Sequence, residues 1–196
     1  MLLSTAYLPP IEYFQKIFSS PSVFIEKHEH FVKQTYRNRC HILGSNGLQV
    51  LSIPLLNAHE KTSIDAKKIS YAQDWQKQHW RGIISAYANS PYFIYYNDEL
   101  RPFYENRFEF LFDYNTELLK VILKLLKIKT EIKFTETFEK EATVDFRNTI
   151  SPKMVLENSN LKPYTQVFSE KHAFISNLSI IDLLFNKGPE ALEFLS

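Results

Sequence analysis

The stretch EKHEHFVKQTYRNRCHILGSNG, residues 26–47, decides how the rest of the chain is interpreted. It contains three histidines, two lysines, two arginines and the only cysteine of the protein. It ends on Asn46 and Gly47, a dipeptide that strongly favours a two-residue β-turn. The turn predicts that residues 35–43 pair with residues 48–54 (LQVLSIP) as an antiparallel hairpin.

Side chains alternate between the two faces of such a hairpin. The face that we expect to be buried, together with Leu51 and Ile53, carries Tyr36, Asn38, Cys40 and Ile42. The opposite face carries a basic row of Arg37, Arg39 and His41. Guanidinium groups bind phosphate and carboxylate oxygens in a bidentate manner, so this row is the best candidate for an anion site. A solvated strand face paired with Glu26 and Glu29 is the alternative that the spacing leaves open.

The composition indicates one globular domain covering residues 1–196, because 44% of the residues are apolar and 23% are charged. A net charge of +1 argues against a nucleic-acid partner. A single cysteine allows no intrachain disulfide, which fits a reducing compartment. The amino terminus lacks the basic start of a signal peptide, and no apolar run is long enough to span a membrane. We therefore expect a cytoplasmic protein without a transmembrane segment.

The order of predicted elements indicates an α/β (or α+β) fold. Apolar residues 2–8, a helical pattern at 11–18 and a short strand at 23–25 suggest a parallel strand–helix–strand unit. Further patterns predict a strand at 130–137, a short strand at 165–168 and helices at 75–88, 102–112, 116–126, 180–187 and 189–195. The prediction is a mixed β-sheet, a hairpin near 35–54 and about four to six helices.

Helix starts and one long irregular segment complete this outline. Asp74 is the expected N-cap of the helix at 75–88, and Asn115 or Thr116 that of the helix at 116–126. Ser179 with Asp182 resembles a capping box. Residues 139–170 show no periodicity, which is typical of a lid, a binding loop or a disordered segment. Arg147 and Lys153 lie there, so this segment could add basic groups to the site.

Other reactive side chains give weaker signals. His79 falls on the apolar stripe of the helix at 75–88, where a histidine is more often a hydrogen-bonded core residue than a catalyst. His28, His30 and His41 lack the spacing of known metal motifs, so no metal site is predicted. Cys40 faces the core side of the hairpin, which favours an inert thiol over a nucleophile.

Five segments together resemble the WbqC-like protein family, in particular a short bacterial, Bacteroidetes-type member. They are YLPPIEYF (7–14), YRNRCHILGSNG (36–47), WQKQHWRGIISAYANSPYFIYY (75–96), DFRNTISPK (145–153) and NLSIIDLLFNKGPE (177–190). The family pattern includes Tyr36, Arg37, Asn38, Arg39, His79, Asn177, Asp182, Asn186 and Gly188. Longer members carry a further Gly- and Tyr-rich segment that is shortened here. The family is associated with gene clusters for O-antigen and other surface polysaccharides.

The resemblance and the basic row leave two functions open. The first is an enzyme that transfers an acyl, aminoacyl or sugar group to an amino sugar or nucleotide sugar. Its small anionic ligand, a nucleotide sugar or acyl donor, would be bound by Arg37 and Arg39, with His79 or His41 as general base. Tyr36, Asn38, Arg147 and Lys153 are the further ligand-binding candidates. The second is a non-catalytic anion-binding or scaffold protein of the same pathway. The sequence indicates neither a cofactor nor an oligomeric state.

Overall fold

A computed structural model of the 196-residue chain describes residues 1–153 and 161–196. The first strand, the first helix and the second strand form the predicted parallel unit. Strand β1 (Leu2–Ser4) pairs in parallel with β2 (Ser22–Glu26), with Leu2 opposite Phe24. Strand β2 also pairs in parallel with β5 (Glu131–Phe134), so the sheet has the order β1-β2-β5. Helix α1 (Ile11–Phe18) connects β1 to β2.

The predicted hairpin forms a separate two-stranded antiparallel sheet. Strands β3 (Arg39–Gly44) and β4 (Gly47–Ser52) pair with Cys40 opposite Leu51 and Gly44 opposite Gly47. Gly47 has a φ of +101°, a conformation that residues with a side chain rarely adopt. Cys40, Ile42, Leu51 and Ile53 are buried, which confirms the predicted core face. Parallel and antiparallel pairing thus occur in the same domain but in two sheets.

Six α-helices lie in the described residues, in agreement with the predicted number. Besides α1 they are α2 (Trp75–Tyr87), α3 (Phe93–Leu100), α4 (Pro102–Glu105), α5 (Leu111–Leu125) and α6 (Ile180–Lys187). Short 3₁₀ helices cover Ile64–Ala66 and Gly188–Phe194. Among these helices, none is both long enough and apolar enough to cross a membrane.

Two of the three predicted helix starts are confirmed in position but lack the expected side-chain capping bond, and the third start is wrong. The side chain of Asp74 makes no capping hydrogen bond to α2, although Asp74 occupies the cap position. Helix α5 begins at Leu111, because Asn115 is buried and donates to Thr5 Oγ1 and to the Arg37 carbonyl instead of capping. Ser179 occupies the cap position of α6 but makes no side-chain capping bond, and Asp182 is buried in the core. Of the three predicted caps, Asn115 is the one whose side chain makes tertiary hydrogen bonds instead.

Two further segments differ from the prediction. The range 102–112 is not one helix, since α4 ends at Glu105 and the backbone of Asn106 is extended. Residues 165–168 form no strand, and Gln166 in this segment instead hydrogen-bonds Ile175 and Asp182. Within the irregular range 139–170, residues 154–160 lie outside the described part of the chain.

Candidate functional site

The parallel strands end on polar residues at one edge of the sheet. Ser4 ends β1, Glu26 ends β2 and Thr135 directly follows β5. All three are buried, and the Thr135 hydroxyl donates to Glu26 Oε1 at 2.8 Å. Ligands of open α/β sheets bind at the carboxyl ends of the strands. This edge of the sheet is therefore a candidate ligand-binding site.

Arg37 reaches this edge and does not belong to the hairpin. Strand β3 begins at Arg39, and the side chain of Arg37 is only 3% exposed. Its Nε donates to Glu29 Oε1 at 2.8 Å, and its Nη2 donates to Glu29 Oε2 at 2.5 Å and to Ser4 Oγ at 2.7 Å. The predicted row of three basic residues is therefore wrong, because a bidentate pair with a buried carboxylate removes Arg37 from it.

Arg147 joins the same edge from the irregular segment after β5. Its Nε and Nη2 donate to the Asp145 carboxylate at 3.0 and 2.6 Å. Its Nη1 donates to the Glu139 carbonyl at 2.6 Å and to Glu26 Oε2 at 3.4 Å. The hydrogen bonds from Arg147 lower the pKa of Asp145. The two arginines thus balance the charge of buried Glu26 and Glu29.

Two cavities share Arg37, Arg147 and Ile150 as lining residues. The inner cavity, about 10 Å³ in volume, is bounded by Ser4, Tyr13 and Tyr36 among others. The outer cavity, about 160 Å³, also contacts Lys33 and Lys153. We call the outer cavity with Lys33, Arg37, Arg147 and Lys153 the basic cleft. Its volume equals that of roughly five liquid waters, which suits a phosphate or carboxylate group.

Some hydrogen-bond donors of the basic cleft have no acceptor among the described residues. Within residues 1–153 and 161–196, Nη1 of Arg37 has no acceptor and Lys153 has no acidic partner. Among the described residues, the ammonium group of Lys33 forms one hydrogen bond, to His59 Nδ1 at 2.6 Å, and has no acidic partner. Arg147 is different, since protein acceptors already bind its Nε, Nη1 and Nη2. The donors that could meet a ligand are therefore those of Lys33, Arg37 and Lys153.

The predicted residues on the hairpin do not line the basic cleft. Asn38 donates to the Ile53 carbonyl at 2.8 Å, which extends the pairing of the hairpin. Tyr36 lines the inner cavity, and burial raises its pKa to about 12. His41 packs edge-on against the Tyr36 ring, with 5.5 Å between the ring centres. Burial, and secondarily the positive charge of Arg39, lower the pKa of His41.

His79 is a buried core residue that lines neither cavity. Its Nδ1 hydrogen-bonds the Tyr7 hydroxyl at 3.0 Å, and the Trp75 ring packs against it edge-on. Burial lowers its pKa to about 4, although a backbone hydrogen bond with Ser52 partly offsets this effect. The imidazole is therefore neutral near pH 7 and its surroundings are occupied by protein.

Cysteine and metal chemistry receive no support from the geometry. Cys40 is fully buried, as predicted, and burial raises the pKa of its thiol. In the described part of the chain, no group of three or more histidine, cysteine or acidic side chains is placed to hold a metal ion.

The site residues that sequence reasoning missed are Ser4 and Lys33, and the buried role of Glu29 was not anticipated. A usable signal existed for Ser4, since a buried strand that ends on a polar residue often contributes to a ligand edge. Glu29 offers no such signal, because its pairing with Arg37 depends on how two loops pack. Lys33 is one of many lysines and acquires meaning only from its position beside the cavity.

The carboxyl-terminal residues of the family pattern have structural roles. Asn177 Oδ1 accepts a hydrogen bond from the Glu12 amide at 2.9 Å and so caps α1 from a distance. Asp182 accepts from the Tyr164 hydroxyl at 2.6 Å, and Asn186 donates to the Asp182 carbonyl at 2.7 Å. A Cβ on Gly188 would lie 2.5 Å from the Tyr92 ring.

Comparison with known proteins identifies the family of the chain. The family model of the WbqC-like protein family matches residues 5–157 and 150–194, and the chain therefore belongs to this family. It is also similar to the uncharacterized protein Rv1507c of Mycobacterium tuberculosis (strain ATCC 25618 / H37Rv). The identity is 26% over 230 residues, which cover 99% of this chain and 96% of the relative. No solved structure matches the chain significantly.

Proposed function

We propose that this protein binds a small anionic compound of surface-polysaccharide biosynthesis, and that the basic cleft holds the phosphate or carboxylate group of that compound. The observation that carries the proposal is the convergence of Lys33, Arg37 and Lys153 around one cavity at the carboxyl edge of the parallel sheet. Membership in the WbqC-like family supports the link to polysaccharides.

Charge and hydrogen bonding in the cleft favour an anion. The exposed ammonium groups of Lys33 and Lys153 supply positive charge at the cleft, and Nη1 of Arg37 is a donor without a protein acceptor among the described residues. Each charge-assisted hydrogen bond contributes about 1.5–3 kcal/mol. Two or three of them give roughly millimolar affinity or better, so contacts outside the cleft have to supply selectivity.

The geometry favours binding over group transfer. A transferase needs a proton acceptor within hydrogen-bond reach of the reacting group. Among the described residues that line the basic cleft there is no histidine, and the nearby His59 uses its Nδ1 to contact the ammonium group of Lys33. His79 is buried beside Tyr7, and the carboxylates nearest the cleft, Glu26 and Glu29, are engaged by guanidinium groups. We therefore place the non-catalytic anion-binding function first and the transferase second.

Thermal unfolding in the presence of ligands tests the proposal. The probes are inorganic phosphate, pyrophosphate, uridine diphosphate N-acetylglucosamine and acetyl coenzyme A. A probe at about 100 times its dissociation constant stabilises the native state by about 2.7 kcal/mol. We expect such a stabilisation for wild type and a much smaller one for Lys33→Ala/Lys153→Ala.

The matched control is Lys120→Ala/Lys124→Ala, which removes two exposed lysines from α5 and leaves the cleft intact. This control changes the net charge by the same amount as the cleft variant. It should nevertheless respond to ligand like wild type, because its cleft is intact. An equal response of all three proteins would contradict a site at the cleft. Turnover of a probe, lost in the cleft variant alone, would instead favour the transferase.

A further inference from the structure

A second candidate site is a groove of about 460 Å³ beside the first two turns of α2. It is lined by Tyr71, Asp74, Gln76, Trp80, Tyr104 and Arg107 among others, and none of its lining residues belongs to the basic cleft. Its volume lies in the range of sites that hold small organic molecules. The groove combines aromatic rings with polar side chains of balanced charge, and we call it the aromatic groove.

The aromatic side chains of this groove are held in place by the protein. Trp80 and Tyr104 stack with 5.1 Å between ring centres, and the Tyr104 hydroxyl bonds the Tyr7 hydroxyl at 3.0 Å. The Tyr71 hydroxyl donates to the Phe108 carbonyl at 2.9 Å and accepts from the Phe108 amide at 2.8 Å. A ligand would therefore meet rigid apolar surfaces, which reduces the entropy lost on binding.

Arg107 is the unusual member of the aromatic groove. Its Cζ lies 4.9 Å from the centre of the Tyr71 ring, a cation–π contact that orients the guanidinium. Over the described ranges, no carboxylate forms an ion pair with Arg107. The other charges are already paired, since Asp74 contacts Lys77 at 3.3 Å and Glu105 contacts Arg101 at 2.6 Å. The groove thus presents one oriented cation whose donors are available to a ligand.

Gln76 adds an acceptor at a fixed position. Its Nε2 donates to the Phe103 carbonyl at 2.9 Å and to the Asn106 carbonyl at 2.6 Å, which fixes the orientation of the amide. Its Oε1 has no donor among the residues described, so it can accept from a hydroxyl group. The groove therefore offers an anion-binding fork and a hydroxyl acceptor next to aromatic rings.

We propose that the aromatic groove binds an acidic saccharide, with Arg107 on its carboxylate, Gln76 Oε1 on a hydroxyl and the ring carbons against the accessible part of the half-buried Trp80 ring. A sugar ring has apolar C–H groups and an edge of hydroxyls, and this pairing of surfaces matches the groove. A nucleic acid fits less well, because Arg107 is the one cation of the groove without an acidic partner among the described residues, and phosphate chains need several cations.

The two tryptophans of the chain make the test direct. Trp75 is buried, whereas Trp80 lines the groove, so a two-dimensional ¹H–¹⁵N spectrum has one indole signal at the site and one internal reference. Titration with glucuronic acid should shift the Trp80 signal saturably and leave the Trp75 signal in place. Glucose, the neutral counterpart, should bind about tenfold more weakly because it lacks the carboxylate.

The variant Arg107→Gln should remove the preference for glucuronic acid over glucose. Arg81→Gln is the matched control, because Arg81 is exposed on the same helix as Trp80 and does not line the groove. The absence of a saturable Trp80 shift with glucuronic acid, or an unchanged preference in Arg107→Gln, would overturn the proposal. A shift with adenosine and with neither sugar would overturn it as well. The variant Lys33→Ala/Lys153→Ala should bind glucuronic acid normally, so this inference and the proposed function fail independently.

Discussion

At the scale of single residues, Arg37 shows how a predicted ligand contact can also hold the fold together. Its guanidinium balances the charge of the buried Glu29 carboxylate and donates to Ser4. Its third nitrogen, Nη1, has no acceptor among the described residues. A substitution of Arg37 therefore tests stability as well as binding. This is the reason to test the cleft through Lys33 and Lys153.

The first prediction concerns this ion pair. Arg37→Ala leaves Glu29 charged and buried without a partner, so we expect a loss of about 3–5 kcal/mol in the free energy of unfolding. Arg37→Met/Glu29→Met removes both charges and should lose far less. Urea unfolding measures both values. Equal losses in the two variants would show that side-chain packing, and not charge compensation, governs this position.

The second prediction uses the pKa of His79, which is about 4 in the folded protein against an ordinary value of 6.5. Below pH 6.5 the unfolded chain binds a proton that the folded protein resists. The free energy of unfolding therefore falls as the pH drops from about 6.5 to about 4. Above pH 6.5 His79 is neutral in both states and causes no loss of stability. A shift of this size corresponds to about 3 kcal/mol.

His79→Gln removes this titration and should reduce the acid sensitivity of stability by about that amount. The measurement is urea unfolding of wild type and variant at neutral pH and near pH 4. The difference between the two proteins isolates His79 from the other acidic and basic groups. If both lose the same free energy on acidification, His79 is accessible to protons in the folded state.

At the scale of elements, the end of α6 depends on one glycine. Gly188 has a φ of +52°, and a Cβ there would meet Tyr92 Cδ1 at 2.5 Å. The backbone and the neighbouring ring thus both require a residue without a side chain. This is a structural reason for the position of Gly188 in the family pattern.

The third prediction follows from this geometry. Gly188→Ala should lower the free energy of unfolding by at least about 1–3 kcal/mol through backbone strain, and further through the clash with Tyr92. Tyr92→Ala should relieve only the clash, so a double-mutant cycle separates the two effects. Gly82→Ala, in the interior of α2, is the control. There the nearest atom is the flexible Gln49 amide at 3.1 Å, and the change should stay within about 1 kcal/mol of wild type.

At the scale of the whole molecule, the two ends of the chain pack together. The Ile11 amide donates to the Leu178 carbonyl at 3.0 Å, and the Ile180 amide donates to the Pro9 carbonyl at 2.8 Å. The Tyr92 amide donates to the Phe185 carbonyl at 3.0 Å. Helix α6 is thus bound to the amino-terminal unit and to the start of α3. We propose on this basis that residues 1–196 form one WbqC-like domain.

The fourth prediction is that this domain unfolds in one cooperative transition. Urea curves followed by tryptophan fluorescence, which reports on α2, and by far-ultraviolet circular dichroism should have the same midpoint. Deletion of residues 177–196 should abolish cooperative folding, because it exposes the core side chains of α6 and removes the cap that Asn177 provides to α1. Two separate midpoints in wild type would mean that the carboxyl-terminal part folds on its own.

The sequence by itself determined the elements that local chemistry specifies. Helix α1, the β-strand that follows it, the turn at Asn46 and Gly47 and the buried stripe of α2 were all predictable, because periodicity and turn preference act over a few residues. The buried, inert state of Cys40 follows from the same alternation. The sequence also suggested that Arg147 and Lys153 could add basic groups near Arg37, and it did not specify the cavity that these three residues line.

Only the tertiary structure decided which of these residues meet. Arg37 lies outside the hairpin and pairs with Glu29. Arg147 contacts Glu26, which is 121 positions away in the sequence. The sequence left pairing with Glu26 and Glu29 open only on a solvated strand face, whereas the observed pairs are buried at the low-dielectric edge that forms when the parallel strands assemble. The burial of His79 was predicted from its place on the apolar stripe of α2, and the structure adds its hydrogen bond with Tyr7 and its lowered pKa. Long-range electrostatics inside a packed core, and not local preference, placed the candidate site.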